Sequence, residues 1–400
     1  MFSGIGGFEY GIEQAFRHPD VQNIRAGQDG EKDCPAKDRQ GLHSIPKQGA
    51  ISTADRSDEH SHSSSDQRQP HCVGFSEING RAISVYNKRF KEHKNYGDAK
   101  TIDPTTLPDF EMLVGGFPCQ AFSLAGKRGG LNDTRGTLFF DIARVAEHKR
   151  PRYLVLENVK GLLSHDNGKT LQTILEVFTK IGYQLQWCLL NSRDFGVPQN
   201  RERIYIVGYL GEGSAPQVFP LRDCYQTTDQ VRNQDNKLSG DSRDSEGKDR
   251  RSPERREIYI REATKKGYAV AGEGDSVNFS QPNSKTRRGR VGKGYANTLD
   301  TGVQQGVVQR KVSKTIRVGG GGSPHGSKQN WDSYEVEGTI RRLTPLECER
   351  LQGFPDNWTE FADDGQKVSD TQRYKMCGNA VTTNVVQAVV TEILLQDESL

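Results

Sequence analysis

The chain has 400 residues, of which 33% are hydrophobic and 27% are charged, and its mean hydropathy is −0.77. This length allows two domains with a sizeable core, but the low apolar fraction requires long polar segments beside that core. A net charge of +3 says little about nucleic acid, and seven cysteines without a Cys-x-x-Cys pair argue against a disulfide framework or a zinc site. With no secretion signal and no apolar run of about 18 residues, we expect a cytoplasmic protein without a membrane span or a metal.

The sequence opens on a glycine-rich turn, residues 3–7, and apolar residues at helical spacing follow in 8–16. Such a turn lets a ligand approach the backbone and aims helix N–H groups at negative charge; a plain tight turn is the alternative. The strand that should precede the turn is reduced to Met1 and Phe2. Residues 25–71 are rich in Ser, Asp, Gln, Lys and Gly and predict a disordered polar insertion. Its histidines invite a metal interpretation, but no ligand-bearing scaffold is visible around them.

Three reactive or acidic side chains follow turns and short strands. The strand-like run 72–76 ends at Glu77, which predicts a contact with ribose hydroxyls or, alternatively, a helix-start acid. Asp98 either accepts a hydrogen bond from an adenine amino group or caps a turn. The apolar run 112–114 stops at two glycines, so Cys119 lies on a loop at the sheet edge where ligands bind. Its thiolate would be a strong nucleophile, and a buried structural cysteine is the alternative.

The middle of the chain continues this pattern. The segment 121–136 is glycine-flanked and basic, which is the composition of a mobile lid over a phosphate backbone. The apolar run 153–156 ends at Glu157, another carboxylate after a strand. Arg201 and Arg203 alternate with a glutamate, so we expect both on one face of an extended segment. Strands alternating with helices at this spacing predict an α/β fold with a doubly wound, mostly parallel sheet.

The last part of the chain changes character twice. From residue 211 it is more polar, and 229–256 is dense in charge with almost no apolar residues. Five cations in residues 285–293 suit contacts to phosphates or base edges, and a solvated charged loop is the alternative. Regular structure resumes at Thr344, where the sequence Thr-Pro-Leu-Glu predicts a helix start with a capping box.

Taken together, these features closely resemble the DNA (cytosine-5) methyltransferase family of the prokaryotic or phage type. Eight motifs occur in the family's order and cover nearly all of 1–23, 72–210 and 339–396. They are the opening loop 2–7, Glu77, Asp98, Pro118-Cys119-Gln120, Glu157-Asn158-Val159, Gln199-x-Arg201-x-Arg203, Arg342-Leu343-Thr344-Pro345 and Gly378-Asn379-Ala380-Val381. The polar insertion and the short first strand depart from the family pattern.

The resemblance implies the fold of S-adenosylmethionine-dependent methyltransferases. A catalytic and cofactor-binding domain would span 1–210 and carry the insertion 25–71. A smaller, irregular target recognition domain would span 211–338, with 229–256 flexible, and 339–400 would return to the catalytic domain. The resemblance further implies double-stranded DNA as the partner of a monomeric enzyme, with a cognate restriction endonuclease acting as a separate protein.

The resemblance also implies site residues. Contacts to the methyl donor, S-adenosylmethionine, are expected from Phe2, Gly4, Gly6, Gly7, Glu77, Ile78, Asp98, Phe117, Asn379 and Val381. DNA contacts are expected from Gln120, Ser123, Lys127, Arg128, Arg287, Arg288 and Arg290. Cys119 would add to C6 of a flipped-out cytosine while Glu157 holds its N3 and amino group. Arg203, supported by Arg201, would bind the O2 edge and neutralise developing charge.

Three other functions compete with this interpretation. An RNA cytosine methyltransferase is the first, since one branch of the family acts on tRNA, but the long region before Arg341 favours sequence readout in duplex DNA. A catalytically inactive DNA-binding paralogue is the second, and intact Cys119, Glu157 and Arg203 argue against it. A Rossmann oxidoreductase is the third, but the Gly-x-Gly-x-x-Gly pattern is absent.

Overall fold

The computed structural model describes residues 4–25, 69–118, 138–221, 258–281, 284, 286–302, 304–313 and 334–397, with main chain only for 309–313 and 334–340. Outside these residues lie Phe2, Cys119, Gln120, Ser123, Lys127, Arg128, the segment 229–256 and all but the ends of 25–71. No helix within the described ranges is both long and apolar enough to cross a bilayer.

Helices and strands alternate in the first half of the chain, and short strands dominate the region after residue 257. The described helices are α1 (Gly7–Phe16), α2 (Pro19–Arg25), α3 (Gly80–Asn87), α4 (Leu138–Lys149), α5 (Lys169–Ile181), α6 (Pro345–Leu351), α7 (Asp370–Asn379) and α8 (Thr383–Gln396). The described strands are β1 (Met112–Gly116), β2 (Tyr153–Val159), β3 (Gln184–Asn191), β4 (Gln199–Asn200), β5 (Glu202–Tyr209), β6 (Ile258–Arg261), β7 (Tyr268–Ala271), β8 (Ser276–Asn278), β9 (Val291–Gly292), β10 (Ala296–Asn297), β11 (Gln305–Ser313) and β12 (Tyr334–Arg342).

The main sheet has the strand order β1-β2-β5-β3. β1 pairs with β2 in parallel, whereas β5 pairs antiparallel with both β2 and β3. The described sheet is therefore mixed, where the sequence predicted a mostly parallel one. The short connection 192–201 explains the difference, because a parallel return to a neighbouring strand needs a crossover of a dozen or more residues. The predicted strand at 72–76 is reduced to one parallel bridge between Phe75 and Asn95.

Helices cover both faces of this sheet. On β2, Tyr153 and Val155 pack in a core with α1, α2 and α8. Leu154 and Leu156, which point the other way, pack with α4 and α5. A strand buried on both faces reads as a continuous apolar run, and this is why 153–156 carries no polar residue.

The two ends of the described chain pack together through α1 and α8. A Cβ atom at Gly7 would lie 2.8 Å from Val381 Cγ2, and one at Gly11 would lie 2.7 Å from Val386 Cβ. Glycine at both positions therefore lets the helices approach closely. The N-terminal glycine turn and Val381 consequently lie close together.

The region after residue 257 forms a second, smaller sheet of order β12-β11-β8-β9 and a β6–β7 hairpin. Its own core is small and centres on Ala271, Val277 and Val308. The predicted domain boundary at 210 falls too early, because Val218 and Leu221 pack in the core of the main sheet. At the other end, β10 pairs in parallel with β4 and joins this region to the main sheet's domain.

Candidate active site

The carboxyl ends of β1 and β2 lie side by side. Gly116 is in register with Glu157, and a Cβ atom at Gly116 would lie 3.2 Å from Glu157 Oε2. The next residue on β2, Asn158, donates from Nδ2 to the carbonyl oxygen of Phe117 at 2.7 Å, and both residues are buried. Cys119 follows Gly116 by three residues in the sequence. The loop that carries the predicted nucleophile therefore starts beside the carboxylate.

Glu157 and Arg203 form an ion pair. Arg203 Nε lies 3.0 Å from Glu157 Oε1, and the two side chains are 15% and 12% exposed. The pair spans β2 and β5, where Glu157 is opposite Tyr205 and Arg203 is opposite Val159. Positions two apart on paired strands share a face of the sheet, so strand register fixes the pair. The structure thus brings together two of the predicted catalytic side chains.

Arg201, which was predicted to support Arg203 at the substrate, lies near Arg203 and Glu157 but directs its hydrogen bonds elsewhere. Its guanidinium is buried and donates only to main-chain carbonyls in the described residues: those of Leu299, Gly378 and Ala380. Burial, together with the nearby Arg203, lowers the pKa of Arg201 to about 10. Arg201 joins chain segments, and its predicted role at the cytosine is corrected to a positioning role.

The predicted cofactor residues Gly4 and Glu77 are in contact. Gly4 N donates to Glu77 Oε2 at 3.2 Å, while Glu77 Oε1 accepts from the backbone of Ile78 and Asn79 at 2.9 and 2.8 Å. Glu77 is thus a helix-start acid, the alternative raised by the sequence, and Asn79 caps α3. Three N–H groups use most of the roughly four acceptor positions of a carboxylate and leave about one for a ligand.

Asn95, which the sequence analysis did not identify, links the loops beside Glu77 by hydrogen bonds. Asn95 accepts from the backbone N–H groups of Glu77 and Gly97 and donates to the carbonyl of Glu77. Asp98 follows and caps a 3₁₀ turn by accepting from Lys100 N at 3.0 Å. The turn-capping alternative for Asp98 is therefore seen in the structure.

The remaining predicted cofactor residues surround the glycine turn or lie apart from it. Gly6 has a φ of 86°, a left-handed conformation that favours glycine, and a Cβ atom there would lie 2.6 Å from Phe90. Val381 packs on Gly7, and Asn379 is exposed at the end of α7. Phe117 is buried on the α4 side, with its ring centroid 5.5 Å from that of Phe139.

The basic cluster predicted to contact DNA is divided by the structure. Arg290 is buried, where its Nε donates to the carbonyl of Asn278 and its Nη1 to that of Arg261. Its predicted DNA contact is therefore corrected to a structural role. Arg287 is half-buried and donates to the carbonyl of Ser280. Arg288 is exposed, which leaves it as the accessible arginine among these three.

The β6–β7 hairpin presents an aromatic and basic surface that the sequence analysis missed. Ile258 and Ile260 pack inward, while Tyr259 and Tyr268 are 60% and 39% exposed, with ring centroids 5.0 Å apart. Lys265 and Lys266 are exposed in the turn, and Arg288 Nε donates to the carbonyl of Ala263 in the same turn. The alternation Ile-Tyr-Ile-Arg was the signal that could have revealed this surface.

A cavity lies elsewhere in the described structure. It has a volume of about 780 Å³, lies between α1, β1 and residues 69–76, and contains neither Glu157 nor Arg203 in its lining. Within the described ranges, no group of three or more His, Cys, Asp or Glu residues is arranged to hold a metal ion. The ion pair, which lies beside the start of the loop that leads to the predicted nucleophile, is the candidate active site.

The chain matches the family of C-5 cytosine-specific DNA methylases over residues 62–395. It is 36% identical over 323 residues to the Type II methyltransferase M1.ScrFI of Lactococcus lactis subsp. cremoris, covering 80% of this chain and 72% of that one. It is 33% identical over 323 residues to the Type II methyltransferase M.HhaI of Haemophilus parahaemolyticus, covering 80% and 87%. Among solved structures, the S. pombe Dnmt2 methyltransferase aligns with a TM-score of 0.47 and 20% identity over 98% of this chain and 96% of that one. The match across most of the chain shows that it belongs to the C-5 cytosine-specific DNA methylase family and is a DNA cytosine-5 methyltransferase.

Proposed function

We propose that this methyltransferase transfers a methyl group from S-adenosylmethionine to C5 of a cytosine that is flipped out of a specific duplex DNA sequence. The reaction proceeds through a covalent bond between Cys119 and C6 of the cytosine. The observation that carries the proposal is the Glu157–Arg203 ion pair at the strand ends, one strand away from the loop that leads to Cys119. A carboxyl and a guanidinium held together suit the two polar edges of one pyrimidine.

The chemistry explains why a thiol and an acid are both needed. C5 of cytosine is a poor nucleophile until the Cys119 thiolate adds to C6, which makes C5 enamine-like and able to attack the sulfonium methyl. The addition requires electron density to move toward N3. A Glu157 carboxyl that shares a proton with N3 and accepts from the amino group stabilises this charge. Loss of the C5 proton to a base then expels Cys119 and restores the ring.

Arg203 is suited to the O2 edge because its guanidinium is only partly used. Nε binds Glu157, and Nη1 donates to the main-chain carbonyl of Glu202 at 2.9 Å. A guanidinium has five N–H donors, so three are left over within the described contacts, two of them on Nη2. The ion pair orients the carboxylate, and Nη2 would bind the O2 atom on which negative charge develops.

The residues around the glycine turn fit an adenosyl group. Ile78 is an apolar side chain that is 72% exposed directly after Glu77, and a purine ring would cover it. Glu77 offers an acceptor to the ribose and Asp98 a carboxylate to the adenine amino group. Gly4, Gly6 and Gly7 have no side chain and so allow the ligand to approach the backbone closely. The remaining proposed contacts are Phe2, Phe117, Asn379 and Val381. When bound, the cofactor supplies the electrophilic methyl group.

The proposed substrate is duplex DNA, which a monomer binds through the region after residue 257. A stacked cytosine is out of reach of a thiol, so it must leave the helix at a cost of a few kcal/mol. Contacts to phosphates offset that cost. We propose that these contacts come from Arg287, Arg288 and the exposed lysines of the β6–β7 turn. Gln120, Ser123, Lys127 and Arg128 are further proposed DNA contacts. The relatives named as Type II methyltransferases support a pairing with a separate restriction endonuclease, in the cytoplasm where the DNA lies.

A covalent-trapping experiment tests the proposal. Bisulfite sequencing of DNA from cells that express the protein first identifies the methylated sequence. A duplex with 5-fluorocytosine at that position has no C5 proton to lose, so the protein should remain bound to it after denaturation when S-adenosylmethionine is present. Cys119→Ser should form no such complex, yet it should bind the unmodified duplex as the wild type does.

Two results would contradict the proposal. One is a denaturation-resistant complex with Cys119→Ser, because the bond would then come from another residue. The other is methylation of tRNA but not of duplex DNA in side-by-side assays, which would favour the RNA methyltransferase alternative.

A further inference from the structure

A buried polar junction formed by Gln199, Arg201 and Gln352 joins three distant segments of the chain. The first segment is the connection into β5, the second is 296–300 from the region after residue 257, and the third is the C-terminal part of the molecule. All three side chains are buried. Gln199 and Arg201 bind the other two segments directly, and Gln352 accepts from Gln199 at 3.4 Å while it holds the C-terminal segment together. The junction therefore fixes how the segments are placed.

The two glutamines each use both ends of the carboxamide. Gln199 accepts from the backbone N–H of Leu299 at 2.9 Å and donates to the carbonyl of Leu351 at 2.8 Å. Gln352 donates to the carbonyl of Cys377 at 2.7 Å and accepts from the Thr382 hydroxyl at 2.9 Å. A carboxylate could not donate in either place, so these contacts depend on the amide.

Arg201 is the centre of the junction. Its Nη1 donates to the carbonyl of Leu299 at 3.3 Å and its Nη2 to that of Ala380 at 2.8 Å, while both contact the carbonyl of Gly378 at 3.4 Å. Because the guanidinium is planar and rigid, these carbonyls cannot move independently without losing a bond. A Cβ atom at Gly378 would overlap the carbonyl of Asp300, so glycine allows the close approach of the two segments.

The cation stabilises the junction at a substantial cost. Its hydrogen-bond partners in the described residues are neutral carbonyls, and the nearby Glu157 only partly offsets the cost of burying its charge, which lowers the pKa of Arg201. The benefit of Arg201 is therefore geometric: it holds three segments in one arrangement. Two residues further along the same backbone lies Arg203, which pairs with Glu157.

We propose that Arg201 is a positioning residue that couples cofactor binding to DNA binding. Gly378 and Ala380 flank Asn379 and precede Val381, which are proposed cofactor contacts, while Leu299 leads toward β11 in the region proposed to bind DNA. A shift of the Leu299 segment or of the Gly378–Ala380 segment displaces the carbonyls that bind the shared guanidinium, and this displacement moves the other segment. This inference rests on the proposed function, and the coupling must be reciprocal between the two ligands.

The test is a thermodynamic cycle with S-adenosylhomocysteine, which cannot donate a methyl group, and the duplex identified by bisulfite sequencing. The Kd of the duplex is measured with and without saturating S-adenosylhomocysteine at one salt concentration, for the wild type and for Arg201→Lys. We expect wild-type coupling in the usual range of about 5- to 150-fold. In Arg201→Lys we expect coupling of less than about twofold, because a lysine ammonium cannot bridge the three carbonyls as a fork.

Arg150→Lys is the matched control. Arg150 also donates to a main-chain carbonyl, that of Ile181 at 3.1 Å, but it lies at the far ends of α4 and α5. It should retain the wild-type coupling. If Arg201→Lys is not folded, Gln199→Glu provides a second variant, since it removes the donor to Leu351 without changing side-chain shape.

The outcomes separate the inference from the proposed function. Unchanged coupling in folded Arg201→Lys and Gln199→Glu would overturn the inference. It would also be overturned if the Kd values of the duplex with and without S-adenosylhomocysteine rose by the same factor, because that result indicates a purely structural role. A wild type that methylates DNA but shows no coupling would also overturn it while the proposed function stands. A wild type that forms no covalent complex would instead overturn the proposed function.

Discussion

The segment around the start of β5 and the region after residue 257 each contain two arginines, close together in the sequence, that differ in burial. Arg201 and Arg290 are buried, and the contacts that the structure resolves for their guanidinium groups are to main-chain carbonyls. Arg203 instead pairs with a carboxylate at the proposed base site, and Arg288 is exposed on the hairpin turn. Burial therefore separates an arginine that positions the chain from one that can meet a ligand.

The two regions differ in how they hold these side chains. The strands β2 and β5 lie between two large cores, so the register that pairs Glu157 with Arg203 cannot slip without exposing apolar side chains. The second region has a small core, and side-chain contacts such as Lys293 with Asp275 at 2.7 Å reinforce its short strands. A reaction needs fixed geometry, while recognition depends on what a surface presents.

The largest expected effect is the loss of turnover on substitution of Glu157, at the end of β2. Glu157→Gln should lower kcat by about 10²- to 10⁴-fold, because an amide cannot share a proton with N3. Affinity for S-adenosylmethionine should stay within about twofold, since the ion pair and strand partners of Glu157 include none of the proposed cofactor residues in the described ranges. Methyl transfer under single-turnover conditions and a cofactor titration measure the two effects.

Glu202→Gln is the control on the neighbouring position of β5. Glu202 points to solvent and binds Lys160 at 2.9 Å, so its loss should leave the rate nearly unchanged. If the Glu157 variant weakened only cofactor binding, the carboxylate would have to be reassigned to the cofactor site.

An intermediate effect should distinguish Arg288 from Arg290. Arg288→Ala should reduce the slope of log K for DNA against log salt by about 0.9, the value for one phosphate contact. It should lower the free energy of unfolding by no more than about 1 kcal/mol, because it removes one exposed hydrogen bond. Arg290→Ala should instead lower the free energy of unfolding by about 2 to 3 kcal/mol, because it removes buried charged hydrogen bonds. Salt-dependent binding and urea unfolding measure the two quantities; exchanged outcomes would mean that burial does not separate the two roles.

The smallest effect concerns the join between the two regions. Arg341, at the end of β12, binds Glu347 in α6 through two hydrogen bonds of 2.8 and 2.6 Å, which lower the pKa of Glu347 from 4.5 to about 2. A lowered folded-state pKa stabilises the protein above about pH 4.5, and this stabilisation is lost as the pH falls toward 2. The pair is partly exposed, so we expect about 1 kcal/mol.

Calorimetry of Glu347→Gln against the wild type checks this. The variant should melt at a lower temperature at pH 6, and the difference should shrink as the pH is lowered from 5 toward 2. A difference that stays constant over this range would show that the ion pair does not cause it.

Local signals made much of the site predictable. The capping box at Thr344 is present, the apolar run 153–156 is a strand that ends at Glu157, and the opening turn leads into α1 with Gly6 in a left-handed conformation. Each of these features depends on residues within a few positions of one another. The roles proposed for Cys119 and the other residues outside the described ranges remain predictions from the sequence.

Other features depended on residues far apart in the chain, and the sequence analysis missed or misplaced them. The reversal of β5, the links made by Asn95 and the exposed tyrosine pair of β6–β7 were not predicted. Because Arg201 and Arg203 alternate with a glutamate, we expected both side chains on one face of an extended segment. Arg201 instead lies before β5, and it donates to carbonyl groups of residues 98 and 179 positions later in the chain. Residue type does not reveal which acceptors the fold brings near a side chain.

By itself, the sequence determined the family, the strand ends that carry acids and the glycines that shape the opening turn, because short-range sterics and hydrogen bonding govern these features. Only the tertiary structure decided that Glu157 meets Arg203, that Arg201 joins three segments and that Arg290 is buried. Those outcomes follow from strand register and core packing, which sum many weak contacts across the whole chain and so cannot be read from any single stretch of it.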